Sequence, residues 1–478
     1  MSILAPPSDG FPLSVPAVVI GAGACGQVAA LTLRDAGVEV VLLERDALAQ
    51  GSTALSSGMI PACGTAAQAA LGVDDPAELM AEDIQAKCHG EADPAIVAAV
   101  CAESGPAVDW LTERHGVPLS VVEGFHYPGH RRLRMHAPPS RTGAELMAAL
   151  TAATAAAGAE LLTGAQVTDL FADDDGRIHG VGYRRPDGQR ETIGCGALVL
   201  ACNGFGGNAE MVRRHIPEMA SADYFGHPGN QGDAVRWGQA LGADVRHMSA
   251  YQGHGSVASP HGILITWALI MQGGIQVNRL GRRFSDEQQG YSEQAVNVLA
   301  QPDGLAWTIF DDRLLALGRE FEDFRRAEGA GALRSGRDAA TLAAATGVPA
   351  GALAATLRDA AALAGGEGRD VFGREFTAAP ALVPPYHAIR VTGALFHTQG
   401  GLRIDARARV LRADGRPLPN LYAGGGAAAG VSGDTVSGYL SGNGLLTAVT
   451  LGRIAGRSVA AQVGGKGADR RRLIRPGE

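Results

Sequence analysis

A short apolar segment near the start of the chain is followed by a helical pattern and then by a second apolar segment. Residues 17–20 are apolar and mostly β-branched, which predicts a parallel strand buried on both faces. Residues 28–36 follow the helical period and stop at a glycine, and residues 39–43 predict a second strand that leads into Glu44. This order of strand, helix and strand predicts the first unit of an α/β domain with a parallel sheet.

The turn between the first strand and the helix carries three glycines at the spacing G-x-G-x-x-G. The run is GAGACG at residues 21–26. Such glycines permit a tight turn and close packing, the helix N-terminus faces a pyrophosphate, and an acid after the second strand binds ribose hydroxyls. The pattern therefore predicts a dinucleotide site, without deciding between FAD and NAD. Its residues are Gly21, Gly23, Ala24, Cys25, Gly26, Glu44 and Arg45.

Glycine-rich segments farther along the chain favour FAD. Residues 51–58 read GSTALSSG, residues 197–207 form a strand that runs into a glycine turn, and residues 419–426 repeat that pattern before a helix predicted at 445–460. Cofactor contacts from both ends of a chain are typical of FAD enzymes. The further residues expected to bind FAD are Gly51, Ser52, Thr53, Ser56, Ser57, Gly58, Val167, Ala201, Cys202, Asn203, Gly204, Asn208, Gly425, Gly426, Gly442, Asn443, Leu445 and Leu446.

Composition and charge narrow the expected partners and location. The net charge of −8 over 478 residues disfavours nucleic acid, because phosphate binding needs a basic face. The six cysteines form no C-x-x-C pair, which argues against zinc, c-type haem and iron–sulfur sites and predicts reduced thiols. No secretory signal and no apolar run of membrane-spanning length is present. We expect a cytoplasmic protein that binds no metal.

Three sequence blocks carry a family resemblance. They are GRRF at residues 281–284, GGLRID at 400–405 and PNLYAG at 419–424. With the glycine-rich segments, they resemble the FAD-binding-2 family, which includes soluble fumarate reductases, the succinate dehydrogenase flavoprotein, urocanate reductase and 3-ketosteroid Δ1-dehydrogenases. The resemblance implies an α/β fold: a Rossmann-like FAD-binding domain with a parallel sheet, at residues 1–215 and 385–478, and an inserted α+β capping domain at residues 216–384.

Two departures from the family concern the flavin. Many relatives carry a glutamate at the position of Gly426, where it helps to hold the flavin, so backbone or water must take that role here. Relatives with covalent flavin carry a histidine in the segment that corresponds to residues 51–58, and this chain has none there. We therefore expect FAD to be bound non-covalently.

The resemblance also identifies the candidate substrate site. In the fumarate reductases two histidines and two arginines bind a dicarboxylate. The motifs place both histidines in this chain, at His254 and His397. At the two arginine positions this chain has tyrosines, Tyr291 and Tyr439. Trp267 replaces a glutamate of the proton path. Because a tyrosine cannot supply the charge-assisted, bidentate bonds of an arginine, dicarboxylate reduction is disfavoured.

Two tyrosines at these positions resemble the 3-ketosteroid Δ1-dehydrogenases. The resemblance implies that Tyr291 removes an α-proton, that Tyr439 and the backbone N–H of Asn443 hold the ketone oxygen, and that Tyr127 is the nearest match to an assisting tyrosine. The reaction needs a base for the proton and donors for the developing enolate oxygen. Since the usual pKa of a phenol is about 10, we expect the environment to lower the pKa of Tyr291.

The expected function is FAD-dependent α,β-dehydrogenation of a small, cyclic ketone to an enone, similar to a cyclohexanone dehydrogenase. The retained His254 and His397 indicate a substrate smaller and more polar than a steroid, and Trp267 is a further candidate for binding it. The alternatives are a 3-ketosteroid Δ1-dehydrogenase and a fumarate- or urocanate-type reductase. An electron-transfer subunit and an NAD-linked enzyme are further alternatives that the tyrosine and histidine pattern and the single G-x-G-x-x-G disfavour. The exact ketone, the electron acceptor and the oligomeric state do not follow from the sequence.

Overall fold

Strands and helices alternate along the first part of the chain, as the pattern predicts. The structure, a computed structural model, describes residues 2–124 and 126–472, with side chains up to residue 464. Its strands are β1 Ser2–Leu4, β2 Ser14–Ile20, β3 Val40–Leu43, β4 Ile60–Pro61, β5 Ser120–Val121, β6 Met135–Ala137, β7 Glu160–Leu162, β8 Gln166–Ala172, β9 Ile178–Arg184, β10 Arg190–Leu200, β11 Asp223–Tyr224, β12 Val245–Arg246, β13 Tyr251–Ala258, β14 Ile263–Leu264, β15 Ile275–Val277, β16 Leu305–Asp311, β17 Leu333–Gly336, β18 Tyr386–Thr398, β19 Gly401–Leu402, β20 Arg409–Leu411 and β21 Pro417–Ala423. Its α-helices are α1 Ala24–Asp35, α2 Gly51–Ala54, α3 Ala66–Ala70, α4 Ala77–Lys87, α5 Pro94–Glu113, α6 Gly143–Ala156, α7 Ala209–His215, α8 Asp233–Ala240, α9 Ala268–Met271, α10 Tyr291–Leu299, α11 Asp312–Gly318, α12 Glu322–Gly329, α13 Ala339–Thr346, α14 Ala350–Ala364 and α15 Asn443–Arg472.

The first sheet joins strands from both ends of the chain. Strand β10 pairs in parallel with β2 and with β21, and β2 continues in parallel to β3 and β7. Strands β8, β9 and β10 form an antiparallel ribbon. Residues 17–20 and 40–43 are buried along their whole length, as strands covered by helices on both faces must be. The predicted α/β fold with a parallel sheet is confirmed.

The glycine turn after β2 has a steric reason at two of its positions. Gly21 has a φ of +98°, and a Cβ there would lie 2.6 Å from the carbonyl oxygen of Ala201. A Cβ on Gly26 would lie 1.9 Å from the carbonyl oxygen of Gly21, so only glycine lets α1 pack so closely on the turn. These contacts bring the N-terminus of α1 to the carboxyl edge of the sheet, where ligands of such folds bind.

A second sheet and its helices form the inserted α+β domain. The order of the sheet is β14, β13, β18, β16 and β15, and β11 and β17 also pair with β18. Its apolar face packs against α11 to α14 around a core that contains Phe310 and Phe324. Trp237 of α8 packs in the core of the first sheet, whereas β18 belongs to the second sheet. The domain boundaries after residues 215 and 384 stay predictions.

A buried ion network ties the segment before β6 to the helices of the first domain. Arg134 is 1% exposed, and its guanidinium lies 2.8 Å from a carboxylate oxygen of Asp75 and 2.5 Å from one of Asp83. Burial of three charges is tolerated because each has a partner.

We expect Arg134→Met to lower the free energy of unfolding by about 3–5 kcal/mol, because two buried carboxylates lose their shared partner. Equilibrium denaturation measures this change. The control is Arg132→Met, which removes an exposed guanidinium bonded only to backbone carbonyls and should change stability by about 0.5 kcal/mol or less. An equal loss of unfolding free energy in both variants would show that the buried ion network does not contribute specifically to stability.

Three further observations, on membrane-spanning helices, metal sites and cysteines, concern the residues that the structure describes. Within residues 2–124 and 126–472, no helix is long and apolar enough to cross a membrane. The same residues contain no group of three or more His, Cys, Asp or Glu that is arranged to hold a metal ion. All six cysteines are free thiols, and five of them are buried.

Candidate active site

One cavity extends from the carboxyl edge of the first sheet to an aromatic cluster beside the second sheet. Its empty space, including the part that is open to solvent, amounts to about 1760 Å³. At one end it is lined by the glycine turn after β2 and by Glu44, and at the other end by Tyr291 and Tyr439. The cavity therefore connects the predicted dinucleotide site with the predicted substrate site.

The dinucleotide end is built around Glu44, at the end of β3. Its carboxylate accepts hydrogen bonds from the backbone N–H of Ala22 at 2.9 Å and of Asp46 at 3.0 Å, so it is held beside the glycine turn. A Cβ on Gly23 would meet nothing nearer than the hydroxyl of Thr53 at 3.6 Å, which leaves room for a ligand at the N-terminus of α1. An anionic pyrophosphate there and ribose hydroxyls on Glu44 fit this arrangement.

Most of the predicted cofactor residues reach the cavity wall. Those that line it are Gly21, Gly23, Ala24, Cys25, Glu44, Arg45, Gly51, Ser52, Thr53, Ser56, Ser57, Val167, Ala201, Cys202, Asn203, Gly425, Gly426, Gly442 and Leu445. The residues that the structure does not bring to the wall are Gly26, Gly58, Gly204, Asn208, Asn443 and Leu446.

The residues away from the wall have structural roles instead. A Cβ on Gly58 would lie 2.5 Å from the carbonyl oxygen of Thr142, and one on Gly204 would lie 2.0 Å from the hydroxyl of Thr398. Asn208 caps α7 and accepts from two backbone N–H groups of its first turn. Leu446 is fully buried in the first core.

Aromatic rings meet at the substrate end of the cavity. The ring centroid of Tyr291 lies 6.1 Å from that of Tyr439 and 6.3 Å from those of Tyr127 and Trp267. His254 stacks on Tyr291 with centroids 4.7 Å apart and an interplanar angle of 21°. The structure thus brings all three predicted tyrosines, Trp267 and His254 into one cluster that lines the cavity.

The acidity of the tyrosines differs from the expectation. Burial and the neighbouring Tyr439 raise the pKa of Tyr291 well above 10, although hydrogen bonds from Ser441 and Gly442 act in the opposite direction. Burial also raises the pKa of Tyr439 to about 12. The expected lowering of the pKa of Tyr291 is therefore wrong for the protein by itself, because no described Lys or Arg lines this end of the cavity while desolvation disfavours the phenolate. Tyr291 is a neutral phenol near neutral pH.

The two histidines are neutral, and their tautomers are fixed by their neighbours. Burial lowers the pKa of His254 to about 3 and that of His397 to about 4. The Nδ1 atom of His254 accepts from the backbone N–H of Ser256 at 3.1 Å, and the Nδ1 atom of His397 lies 2.7 Å from the amide nitrogen of Gln399. Each ring therefore keeps its proton on Nε2 and offers a neutral N–H donor.

The structure corrects the assignment of the second oxyanion donor. The backbone N–H of Asn443 donates to the carbonyl oxygen of Leu440 at 3.0 Å, and Asn443 is completely buried behind the cavity wall. The backbone N–H of Gly444 instead points to the Tyr439 hydroxyl, at 3.5 Å. Asn443 opens α15, so its N–H closes a turn in place of facing the substrate.

A bulge in β18 brings two consecutive residues to the cavity. In the pairing of β13 with β18, Gln252 lies opposite His397 while Gly253 lies opposite Leu395, so Phe396 is the extra residue. Phe396 and His397 both line the cavity, and so do Gln252 and His254 on the partner strand. Sequence reasoning missed Gln252, although strand alternation places it on the same face as His254. No sequence signal could have identified Phe396, because a bulge is set by the pairing.

Comparisons with known proteins agree with this geometry. A family model described as an FAD binding domain matches residues 17–445. The chain is 29% identical over 445 residues to a probable fumarate reductase of Shewanella frigidimarina, covering 93% of this chain and 74% of that protein. It is 27% identical to a 4-oxocyclohexanecarboxylate 2-dehydrogenase of Sinomonas cyclohexanicum, and the match covers 94% of this chain and 93% of that protein. The structure resembles that of the 3-ketosteroid Δ4-(5α)-dehydrogenase of Rhodococcus jostii RHA1, which was solved with 4-androstene-3,17-dione. The TM-score is 0.74 and the identity is 26%, and the match covers 96% of this chain and 100% of that chain.

Proposed function

The chain belongs to the FAD-binding-2 family and is an FAD-dependent oxidoreductase that acts on CH–CH groups, and from this premise we propose that it desaturates a small cyclic ketone to an enone. The relatives include both dehydrogenases of ring ketones and reductases of fumarate. The choice between these activities therefore rests on the side chains at the substrate end of the cavity.

The observation that carries the proposal is the meeting of Tyr291 and Tyr439 at an end of the cavity that no described Lys or Arg lines. Among the described residues that line the cavity, the one arginine is Arg45. It belongs to the dinucleotide end, where it contacts Asp46 and the carbonyl oxygen of Gly229. A dicarboxylate would enter the substrate end without a charged partner, whereas a ketone oxygen needs only neutral donors.

Different groups at the site carry out different steps of the desaturation. FAD, when bound, supplies the acceptor for a hydride from the β-carbon. Tyr291 takes the α-proton, and the Tyr439 hydroxyl with the backbone N–H of Gly444 holds the oxygen as it becomes an enolate. The rings of Trp267 and Tyr127 exclude water from the site, which strengthens these hydrogen bonds.

FAD is held without a covalent bond in this proposal, since the segment 51–58 offers no histidine to the flavin. Acid precipitation of the holoenzyme should release all of the flavin into the supernatant. Flavin that stays with the precipitate would contradict this part of the proposal.

The high pKa of Tyr291 predicts how the rate depends on pH. A base must be deprotonated to act, and the deprotonated fraction of a group rises about tenfold per pH unit below its pKa. Because the pKa lies well above 10, kcat/KM for desaturation should rise throughout the range from about pH 6 to pH 9. The histidines titrate far below this range. A plateau near neutral pH in steady-state assays would mean that Tyr291 is not the base.

Anaerobic titration of the purified holoenzyme tests the proposal. Cyclohexanone, 4-oxocyclohexanecarboxylate, a 3-ketosteroid and succinate are added in turn, and loss of the oxidised flavin absorbance is followed. Bleaching by a ring ketone, with the enone identified by mass spectrometry, supports desaturation. No bleaching by any ketone would overturn it.

An ene reductase is the second candidate, and the protonated state of Tyr291 favours it. A neutral phenol can give its proton to an α-carbon, which is the reverse of the proposed step. In this case chemically reduced flavin would be reoxidised by fumarate, urocanate or an enone, and ketones would leave the oxidised flavin unchanged.

A further inference from the structure

The substrate end of the cavity has a wall without charge. The residues that line it are Met59, Tyr127, Met135, Gln252, His254, Leu264, Thr266, Trp267, Tyr291, Phe396, His397, Tyr439 and Ser441. None of these described residues is Asp, Glu, Lys or Arg. Arg141 acts on Tyr127 from outside the wall, where it lies 3.5 Å from the carboxylate of Glu320 and over the ring of Phe321.

Several side chains along this wall carry neutral hydrogen-bond donors. The indole N–H of Trp267 is buried without a hydrogen-bond partner among the described residues. The side chain of Gln252 also lines the cavity, at the strand position opposite His397. The Nε2–H groups of His254 and His397 add two more donors, since their Nδ1 atoms are already engaged. A ligand that brings acceptor oxygens would satisfy groups that the protein leaves unpaired.

A directed chain of hydrogen bonds holds His397 as a donor. The amide of Asn443 donates to the hydroxyl of Ser432 at 3.0 Å, and that hydroxyl donates to the amide oxygen of Gln399 at 3.1 Å. The amide nitrogen of Gln399 is thereby turned to Nδ1 of His397. This chain fixes the tautomer of His397 from behind the wall, which is the role that the structure gives to Asn443.

We propose that the site selects an uncharged ring ketone that carries a second hydrogen-bond acceptor, and that it discriminates against oxocycloalkane carboxylates. The inference rests on the proposed desaturation. A ketone oxygen takes the Tyr439 end, and a remote hydroxyl, carbonyl or amide takes the neutral donors. A carboxylate at the same place would be buried without a counter-charge, whereas a carboxamide of nearly equal shape would not.

A matched pair of ligands tests this selectivity. 4-Oxocyclohexanecarboxamide and 4-oxocyclohexanecarboxylate are titrated into the FAD-loaded enzyme by calorimetry, with the flavin oxidised and oxygen excluded. We expect the dissociation constant of the carboxamide to be lower by about tenfold or more. An equal or lower dissociation constant for the carboxylate would overturn the inference.

Flavin bleaching by the same ligands keeps this test separate from that of the proposed function. If the carboxylate binds and bleaches better than the carboxamide, desaturation stands and the selectivity is wrong. If neither ligand nor cyclohexanone bleaches the flavin, desaturation is wrong, while the ratio of the two dissociation constants still decides the selectivity.

A substitution at Gln252 provides the converse test. Gln252→Arg places a cation on the cavity wall and should lower the dissociation constant of the carboxylate relative to the carboxamide by about tenfold. Gln252→Met is the control of similar size, and it should weaken the carboxamide without favouring the carboxylate. A ratio that stays the same in Gln252→Arg, with FAD content unchanged, would contradict the proposed reason for the selectivity.

Discussion

Replacement of Tyr291 by phenylalanine is expected to lower the rate of ketone desaturation by about 10²–10⁴-fold, the usual contribution of a positioned acid or base. The ring still packs against His254 and Tyr439, so the wall of the cavity is retained. The hydroxyl that takes the α-proton is lost, and no other described base lines the substrate end except neutral histidines with lowered pKa. The measurement is the single-turnover rate of flavin bleaching by a ring ketone.

The control for Tyr291→Phe is Tyr183→Phe, which removes a hydroxyl bonded to Glu191 in the first sheet. Tyr183 does not line the cavity, so its variant should bleach at the rate of the unmodified enzyme. FAD content should be unchanged in both variants. A Tyr291→Phe enzyme with a nearly normal bleaching rate would show that another group removes the proton.

Replacement of Tyr439 by phenylalanine is expected to lower kcat by about 10²–10³-fold, as loss of one oxyanion donor does in other enzymes. The Tyr439 hydroxyl lies 3.5 Å from the backbone N–H of Gly444, which points to it. Its contribution grows as charge develops on the ketone oxygen, so KM should change much less than kcat.

Steady-state kinetics with a ring ketone separate these two constants for Tyr439→Phe. A rise in KM with unchanged kcat would mean that Tyr439 binds the substrate and its transition state equally. The pH dependence of the Tyr439→Phe enzyme adds a second check. Its kcat/KM should still rise with pH as in the unmodified enzyme, because Tyr291 remains as the base.

The fold could be predicted from the sequence where local patterns and packing agree. The strand, glycine turn and helix at residues 17–36 follow from burial on both faces and from the contacts of Gly21 and Gly26 with backbone. The positions of Tyr291 and Tyr439 followed from short motifs at fixed spacing. Their meeting in space did not follow from any local pattern, because it depends on how the second sheet lies against the first.

Other parts of the site depend on properties that a sequence does not carry. The pKa of Tyr291 is set by desolvation, which is a property of the closed cluster and not of the residue type. The backbone N–H of Asn443 donates to the carbonyl oxygen of Leu440, in the turn that leads into α15, and a local sequence pattern does not reveal this bond. The same burial that removes Asn443 from the substrate lets its side chain orient Gln399 through Ser432.

The bulge at Phe396 decides which face of β18 His397 occupies. With regular alternation from Leu395 and no bulge, His397 would share the face of Leu395, which does not line the cavity. Deletion of Phe396 would close the bulge, and the histidine would stay opposite Gln252 on the cavity side. The extra residue in β18 is therefore what lets an aromatic ring and an imidazole that are neighbours in the sequence both reach the cavity.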